Sequence, residues 1–128
     1  MNTAPHYASD VVFFFDGKPD ELALYQALFQ LMDARFPDAS VKVQKSQISF
    51  YGKHLFAAVS LRRRKGWPVH CILVTFGLSY QKSSPRIAMA VEPSPNRWTH
   101  HVPVGCAQDL DGELLSWLQE AFDFAEQK

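Results

Sequence analysis

The sequence predicts an α+β fold, a two-layer sandwich in which a mostly antiparallel sheet of five or six strands carries helices on one face. Two observations indicate this fold. Apolar residues repeat every three or four positions near both ends of the chain, and every second position between them. Short loops, without intervening helices, separate the alternating stretches, which favours antiparallel pairing because parallel strands need long crossover connections.

Two helices are predicted before the sheet, an N-terminal one and a longer second one. Residues 1–8 are expected to form a flexible lead, and Ser9 or Asp10 is expected to cap a short helix over Val11–Phe15. The longer helix is predicted to begin at Pro19, a residue type that suits the first helical position. Its apolar face comprises Leu22, Tyr25, Leu28, Phe29, Met32 and Phe36.

The apolar period then changes to two, which predicts strands. The segment Val69–Leu78 is apolar on both faces, so it is expected to lie centrally in the sheet. The other predicted strands are 41–43, 48–51, 55–61, 87–91 and 98–104. Asp109 or Asp111 is predicted to begin the last helix. The apolar face of that helix comprises Leu110, Leu114, Trp117, Leu118, Ala121 and Phe122.

The composition is that of one domain, residues 1–128, with 47% hydrophobic and 20% charged residues. Such a chain can form a core without disulfides or metal and is too apolar to be disordered. Cys71 and Cys106 make no disulfide framework, and the chain shows no signal-peptide pattern and no stretch long enough to span a membrane. We therefore expect a soluble cytoplasmic protein without a membrane partner.

Charge is distributed unevenly along the chain. Residues 41–104 contain ten Lys or Arg and one acid, Glu92. Residues 1–40 contain six acids and two bases, and residues 105–128 contain six acids and one base. A basic sheet is thus predicted between acidic helices. This sheet either attracts an anionic partner or has its charges complemented within the fold, and the sequence leaves both alternatives open.

Two adjacent histidines, His100 and His101, occur in the last predicted strand. Successive side chains of a strand point to opposite faces, so these two residues cannot share one metal ion. His100 has the parity of Trp98 and Val102 and is expected to be a buried core residue, whereas His101 is expected on the open face as an acid, base or hydrogen-bond donor. The histidines and cysteines have no standard ligand spacing, so neither a metal site nor a cofactor is predicted.

Basic residues with aromatic neighbours also invite comparison with nucleic-acid binding. Tyr51, Trp67, Tyr80 and Trp98 occur among the basic residues of the predicted sheet, as in proteins that hold single-stranded nucleic acid. The run Arg62–Lys65 lies in a loop, where charges are usually solvated, so nucleic acid is the less favoured partner. No nucleophile elbow, glycine-rich phosphate loop or pair of carboxylates occurs in this region, so the sequence carries no catalytic signature.

Several short motifs follow one another along most of the chain. They are Gly17-Lys18-Pro19, Lys45-Ser46-Gln47-Ile48-Ser49-Phe50, Phe56-Ala57, Pro85-Arg86, Arg97-Trp98-Thr99-His100-His101-Val102, and Leu110-Asp111 before Trp117-Leu118 and Ala121. This order resembles the bacterial domain of unknown function family numbered 5655, over roughly Phe15 to Phe122. The resemblance implies a small α+β domain and no assigned activity. A looser similarity to frataxin-like iron chaperones conflicts with the scarcity of carboxylates in the sheet region.

The resemblance and the strand parity together predict a candidate site on the open face. The polar residues that match the family pattern are Lys45, Gln47, Ser49, Arg86, Arg97, His100 and His101. The sharpest prediction is a shallow concave site lined by Lys45, Ser49, Tyr51, Arg86 and His101, with Arg97 as a further ligand-binding residue. The alternative is an ordinary polar outer face of the sheet.

Three functions remain open at this point. The preferred one is a non-catalytic module that binds an anionic small ligand or partner through the basic open face. The second is an enzyme in which His101 transfers a proton while Lys45 and Arg86 hold an anionic substrate; a bounded pocket with a shifted pKa at His101 would favour it. The third is structural: the acidic helix of one subunit covers the basic sheet of another in a homodimer.

Overall fold

The computed structural model describes residues 1–128 and contains three α-helices and six strands. The helices are α1 (Tyr7–Phe14), α2 (Pro19–Arg35) and α3 (Gly112–Glu126). The strands are β1 (Ser40–Val43), β2 (Ile48–Tyr51), β3 (Leu55–Ser60), β4 (Ile72–Leu78), β5 (Met89–Ser94) and β6 (Arg97–Val104). None of the helices is both long enough and apolar enough to cross a membrane.

All six strands form one antiparallel sheet in the order β1-β2-β3-β4-β6-β5. The first four strands follow one another as a meander. β5 lies at the far edge and β6 returns between β4 and β5, so the connection over residues 79–88 must cross β6 to reach that edge. β4 is an interior strand, and its residues Ile72, Leu73 and Val74 are all buried. The central position predicted for this apolar segment is confirmed.

The helices pack on one face of the sheet and leave the other uncovered. A row of four buried aliphatic side chains, Ile48, Val59, Val74 and Val102, crosses β2, β3, β4 and β6 on the covered face. Residues of all three helices belong to the same hydrophobic core as this row. The predicted two-layer α+β sandwich is therefore confirmed.

The N-terminal segment is attached to the fold more closely than the sequence predicts. α1 begins at Tyr7, before its predicted start, and the Tyr7 hydroxyl lies 2.6 Å from the hydroxyl of Tyr25 in α2. Asn2 forms an isolated parallel bridge with Ser40 of β1. β1 is an edge strand with unpaired outer backbone groups, and the carbonyl oxygen of Asn2 accepts a hydrogen bond from one of them, the N–H of Val41, at 3.0 Å. Residues 1–8, expected as a flexible lead, thus contact both layers.

α3 begins at one of its two predicted starts. The side chain of Asp111 accepts a hydrogen bond from the backbone N–H of Leu114 at 3.0 Å, which satisfies a free donor of the first helical turn. Asp109 lies in the preceding 3-10 turn and accepts a hydrogen bond from the backbone N–H of Gly105 at 2.9 Å. The two aspartates therefore fix the turn that leads from β6 into α3.

Candidate functional site

The uncovered face of the sheet is concave because small side chains occupy its centre. Ser49, Ala58, Thr75 and His101 form a row across β2, β3, β4 and β6, and Ser60 lies farther along β3 on the same face. Ser49, Ala58 and Ser60 are buried although no helix covers them. Larger side chains surround these small residues and leave a cavity of about 520 Å³ above them.

This cavity, the floor compartment, joins a smaller one of about 190 Å³ beneath the β3–β4 loop, the loop compartment. The floor compartment is lined by Ser46, Gln47, Ala58, Ser60, Arg62, Leu73, Thr75, Thr99 and His101. The loop compartment is lined by Arg62, Arg63, Arg64, Trp67, Leu73, Met89 and His101. Because Arg62, Leu73 and His101 line both, we treat the two compartments as one cleft.

Internal contacts hold the β3–β4 loop in place as a wall of the cleft. Arg63 donates a hydrogen bond from Nε to the carbonyl oxygen of Pro68 at 2.8 Å and one from Nη2 to that of Trp67 at 3.2 Å. Gly66 has φ +92°, a left-handed conformation that glycine adopts without strain. The ring of Pro68 sits so close to Gly105 that a Cβ there would lie 2.6 Å from a proline ring carbon. The loop is thereby anchored to the end of β6.

Positive charge at the mouth of the cleft has no counter-charge within the protein. The ion pairs of the structure involve Met1, His70, Lys82 and Arg86 as the cationic partners. Arg62 and Arg64 take part in none of them, and both are exposed. The Arg64 guanidinium instead lies 3.9 Å from the sulfur of Met89, across the loop compartment. Two guanidinium groups are thus available to an anion.

His101 lies at the junction of the two compartments. Its Nδ1 is 2.8 Å from the hydroxyl oxygen of Thr75 on the neighbouring strand, and its Nε2 makes no hydrogen bond within the protein. Burial lowers the pKa of His101, and the positive charges of Arg62 and Arg64 lower this pKa further. The imidazole is therefore neutral near pH 7 and offers Nε2 to a ligand as a hydrogen-bonding group.

His100 is a core residue on the opposite face, as its strand parity predicts. It is fully buried, and its ring stacks on Phe76 with centroids 5.1 Å apart. Its Nε2 accepts a hydrogen bond from the backbone N–H of Lys82 at 2.9 Å, while its buried Nδ1 has no partner. Burial lowers the pKa of His100, so the ring is neutral, and the proton must reside on Nδ1 because Nε2 is an acceptor.

Two of the predicted ligand-binding residues share the uncovered face with His101 but do not line the cleft. The Ser49 hydroxyl is buried between two side chains: it donates a hydrogen bond to Gln44 Oε1 at 2.6 Å and accepts one from Gln47 Nε2 at 2.8 Å. Tyr51 pairs with Ser40 near the β1 edge of the sheet, far from β6. Its ring is contacted by Lys42, whose Nζ lies 5.4 Å from the ring centroid.

The other three predicted ligand-binding residues lie elsewhere in the fold. Lys45 lines a separate depression beside α1 together with Asp10. Arg97 begins β6, with its guanidinium 6.0 Å from the ring of Phe124 in α3. Arg86 belongs to the 79–88 connection, which passes over the helical side of the sheet. The structure therefore does not bring together the site predicted from Lys45, Ser49, Tyr51, Arg86 and His101; of these residues, only His101 lines the cleft.

Arg86 also shows that some basic residues of the middle segment pair with acidic residues within the fold. Its Nη1 lies 2.8 Å from Asp111 Oδ1 and 3.0 Å from Glu113 Oε1, and Lys82 Nζ lies 3.0 Å from Glu120 Oε1. These bases of the crossover connection thus complement the acidic helix α3. Lys82 and Arg86 are therefore paired within the fold, whereas Arg62 and Arg64 at the cleft have no acidic partner.

Of the polar residues that line the floor compartment, the sequence pattern indicates Gln47 and His101 but not the hydroxyl-bearing residues. Ser60, Thr75 and Thr99 line the floor compartment, and Arg62 and Arg64, which the sequence predicts to lie in a solvated loop, line the loop compartment. The parity of Thr75 within an apolar strand was a usable signal, since it places a hydroxyl on the face opposite Val74 and Phe76. The contact between Thr75 and His101 could not be predicted, because it depends on the pairing of β4 with β6, which is not evident from the sequence.

These features define a small two-layer α+β domain with one helix-covered face and one concave, basic, uncovered face. Residues 12–125 match the model of the family described as "Domain of unknown function (DUF5655)", and the chain belongs to that family. The resemblance inferred from the ordered motifs is therefore confirmed. No curated protein and no solved structure gives a significant match to the chain.

Proposed function

We propose that this protein is a binding module that holds an anionic small ligand in the cleft on its uncovered sheet face. One observation carries the proposal: Arg62 and Arg64 border a polar cavity and have no acidic partner in the chain. Guanidinium groups recognise carboxylates and phosphates through paired hydrogen bonds. Neutral His101, at the centre of the cleft, adds a further hydrogen-bonding group at physiological pH.

The contact between Thr75 and His101 supports a second candidate function, a small enzyme. A hydroxyl hydrogen-bonded to Nδ1 fixes the orientation of the imidazole, and in the tautomer whose Nδ1–H donates to Thr75, the free Nε2 can accept a proton. No carboxylate lines the cleft to stabilise the resulting imidazolium. We therefore favour binding without turnover. A ligand whose NMR spectrum changes during incubation with the protein, but not with His101→Gln, would instead support the enzyme.

We include a location in the bacterial cytoplasm in this proposal. Cys71 and Cys106 are both free, and Cys106 is exposed. Exposed thiols persist in reducing compartments and tend to be oxidised outside them. The free cysteines thus support the location predicted from the sequence.

The first test is calorimetric titration of the protein with inorganic phosphate at low salt and pH 7. Hydrogen bonds to charged groups contribute about 1.5–3 kcal/mol each. Every 1.4 kcal/mol changes affinity about tenfold, so Arg62→Ala/Arg64→Ala should weaken phosphate binding by more than about tenfold. Binding to the parent protein should also weaken as salt is added, because exposed charges are screened.

A matched control variant distinguishes the loss of direct contacts with phosphate from a reduction in the net charge of the protein. Lys18→Ala/Lys53→Ala removes the same number of positive charges from exposed residues that do not line the cleft. It should retain the parent affinity for phosphate. Equal weakening by both double variants would mean that phosphate responds only to overall charge, and no binding to the parent protein would overturn the proposal. A dimer that dissociates in high salt would instead support the homodimer alternative.

A further inference from the structure

We infer that the ligand of the cleft is a phosphorylated sugar, with its phosphate in the loop compartment and its hydroxyl-bearing part over the floor compartment. This inference rests on the proposed function and specifies the chemical class of the ligand. It depends on a chemical difference between the two compartments: the loop compartment is cationic, whereas the floor compartment is polar and nearly uncharged.

The loop compartment suits a phosphate group. It is small, about 190 Å³, and three arginines line it: the Arg63 guanidinium is bonded to carbonyl oxygens of the loop, and those of Arg62 and Arg64 are not. Trp67, Leu73 and Met89 form apolar walls, which lower the local dielectric constant and strengthen the attraction to an anion. A phosphomonoester carries between about one and a half and two negative charges near pH 7, so it offsets more of this positive charge than a carboxylate, which carries only one. The balance of charge therefore favours phosphate.

The floor compartment suits a neutral group with many hydroxyls. Its side chains include the hydroxyls of Ser60, Thr75 and Thr99 and the amide of Gln47. Each hydroxyl donates and accepts hydrogen bonds, as sugar hydroxyls also do. Apart from the shared Arg62 and the neutral His101, no ionisable side chain lines this compartment. The part of the ligand that rests here is therefore expected to be polar and uncharged.

The same floor argues against a nucleotide or a single-stranded nucleic acid. Proteins hold unstacked bases on aromatic side chains, commonly displayed on the central strands of a sheet. The central strands here present Ala58, Ser60 and Thr75 to the uncovered face, and no aromatic residue lines the floor compartment. Trp67 lies in the loop compartment beside the arginines, so a base stacked there would occupy the place of the phosphate.

Calorimetric titrations with matched probes test this inference. The probes are inorganic phosphate, glucose 6-phosphate, ribose 5-phosphate, unphosphorylated glucose and adenosine monophosphate, all at the same ionic strength and pH. At least one sugar phosphate should bind about tenfold or more tightly than inorganic phosphate, equivalent to about 1.4 kcal/mol. It should also bind more tightly than the nucleotide, and glucose alone should bind weakly or not at all.

Variants of the floor compartment test whether its hydroxyl groups cause the preference for sugar phosphate over inorganic phosphate. In Ser60→Ala/Thr99→Val, the ratio of sugar-phosphate affinity to inorganic-phosphate affinity should fall towards one. In Thr3→Val/Ser83→Ala, which changes exposed residues outside the cleft, the ratio should equal that of the parent protein. Measuring the ratio within each variant corrects for any general effect on the fold.

The outcomes distinguish this inference from the proposed function. If inorganic phosphate binds as tightly as every sugar phosphate, the inference is overturned while anion binding stands. If the nucleotide binds most tightly, the ligand class is wrong although the cleft is still an anion site. If no phosphate-bearing probe binds, both the inference and the proposed function are overturned.

Discussion

The Phe76→Ala variant should unfold with a free energy about 3–5 kcal/mol lower than that of the parent protein. Phe76 is 1% exposed and lies on the interior strand β4. Its ring stacks on His100 and lies 6.0 Å from the ring of Trp117, so it links the sheet to α3. Truncation leaves a cavity between the two layers and removes the stacking partner of a buried imidazole. Because a domain's stability is typically about 5–15 kcal/mol, this loss is a large fraction of the total.

Urea denaturation followed by circular dichroism measures this loss, and a second phenylalanine provides the control. Phe13 on α1 is 83% exposed, so Phe13→Ala should change the free energy of unfolding by no more than about 0.5 kcal/mol. Similar losses in the two variants would contradict the placement of Phe76 in the centre of the core.

The protein should lose stability as the pH falls from about 7.5 to about 5, because both strand histidines resist protonation in the folded state. Burial is the main cause of the lowered pKa of His100 and of His101. Below an unfolded-state pKa of about 6.5, the unfolded chain takes up protons that the folded chain does not, so the free energy of unfolding declines. The slope cannot exceed about 1.4 kcal/mol per pH unit for each histidine, and it ends when the pH falls below the folded-state pKa.

Urea denaturation at several pH values tests the assignment of this slope. His100→Gln removes the buried titrating group and keeps an oxygen that can accept the hydrogen bond from Lys82. The slope between about pH 7.5 and about pH 5 should be smaller in this variant and smallest in His100→Gln/His101→Gln. The carboxyl groups with lowered pKa values, Asp111 and Glu120, respond at lower pH and lie outside this window. A double variant that keeps the full slope would show that other groups cause it.

Local patterns predicted the fold well because they follow from backbone geometry. The period of two placed His100 and His101 on opposite faces, and the apolar segment around Val74 was assigned correctly to the interior of the sheet. The start of α3 followed from the capping chemistry of Asp111. Each of these predictions depends only on residues that are neighbours in the chain, so none of them required knowledge of strand order.

The candidate site was harder to predict because it depends on contacts between distant segments. Arg86 was assigned to the open face, but its connection must cross β6 and does so on the helical side, where acidic residues of α3 bind it. Ser49 has the expected parity, yet Gln44 and Gln47 cover its hydroxyl. The arginines of the β3–β4 loop border the cleft because that loop lies over the face, a tertiary arrangement that strand periodicity does not encode.

The most direct test of the central claim, that the uncovered face binds anions, is an NMR titration of isotope-labelled protein with inorganic phosphate. The backbone shifts should change most at Ser60, Arg62, Arg64, Thr75, Thr99 and His101, which line the cleft. The ring signals of His101 should report a raised pKa, because a bound anion favours the imidazolium. Shift changes confined to the helical side around Lys82 and Arg86, or no changes at all, would contradict the account.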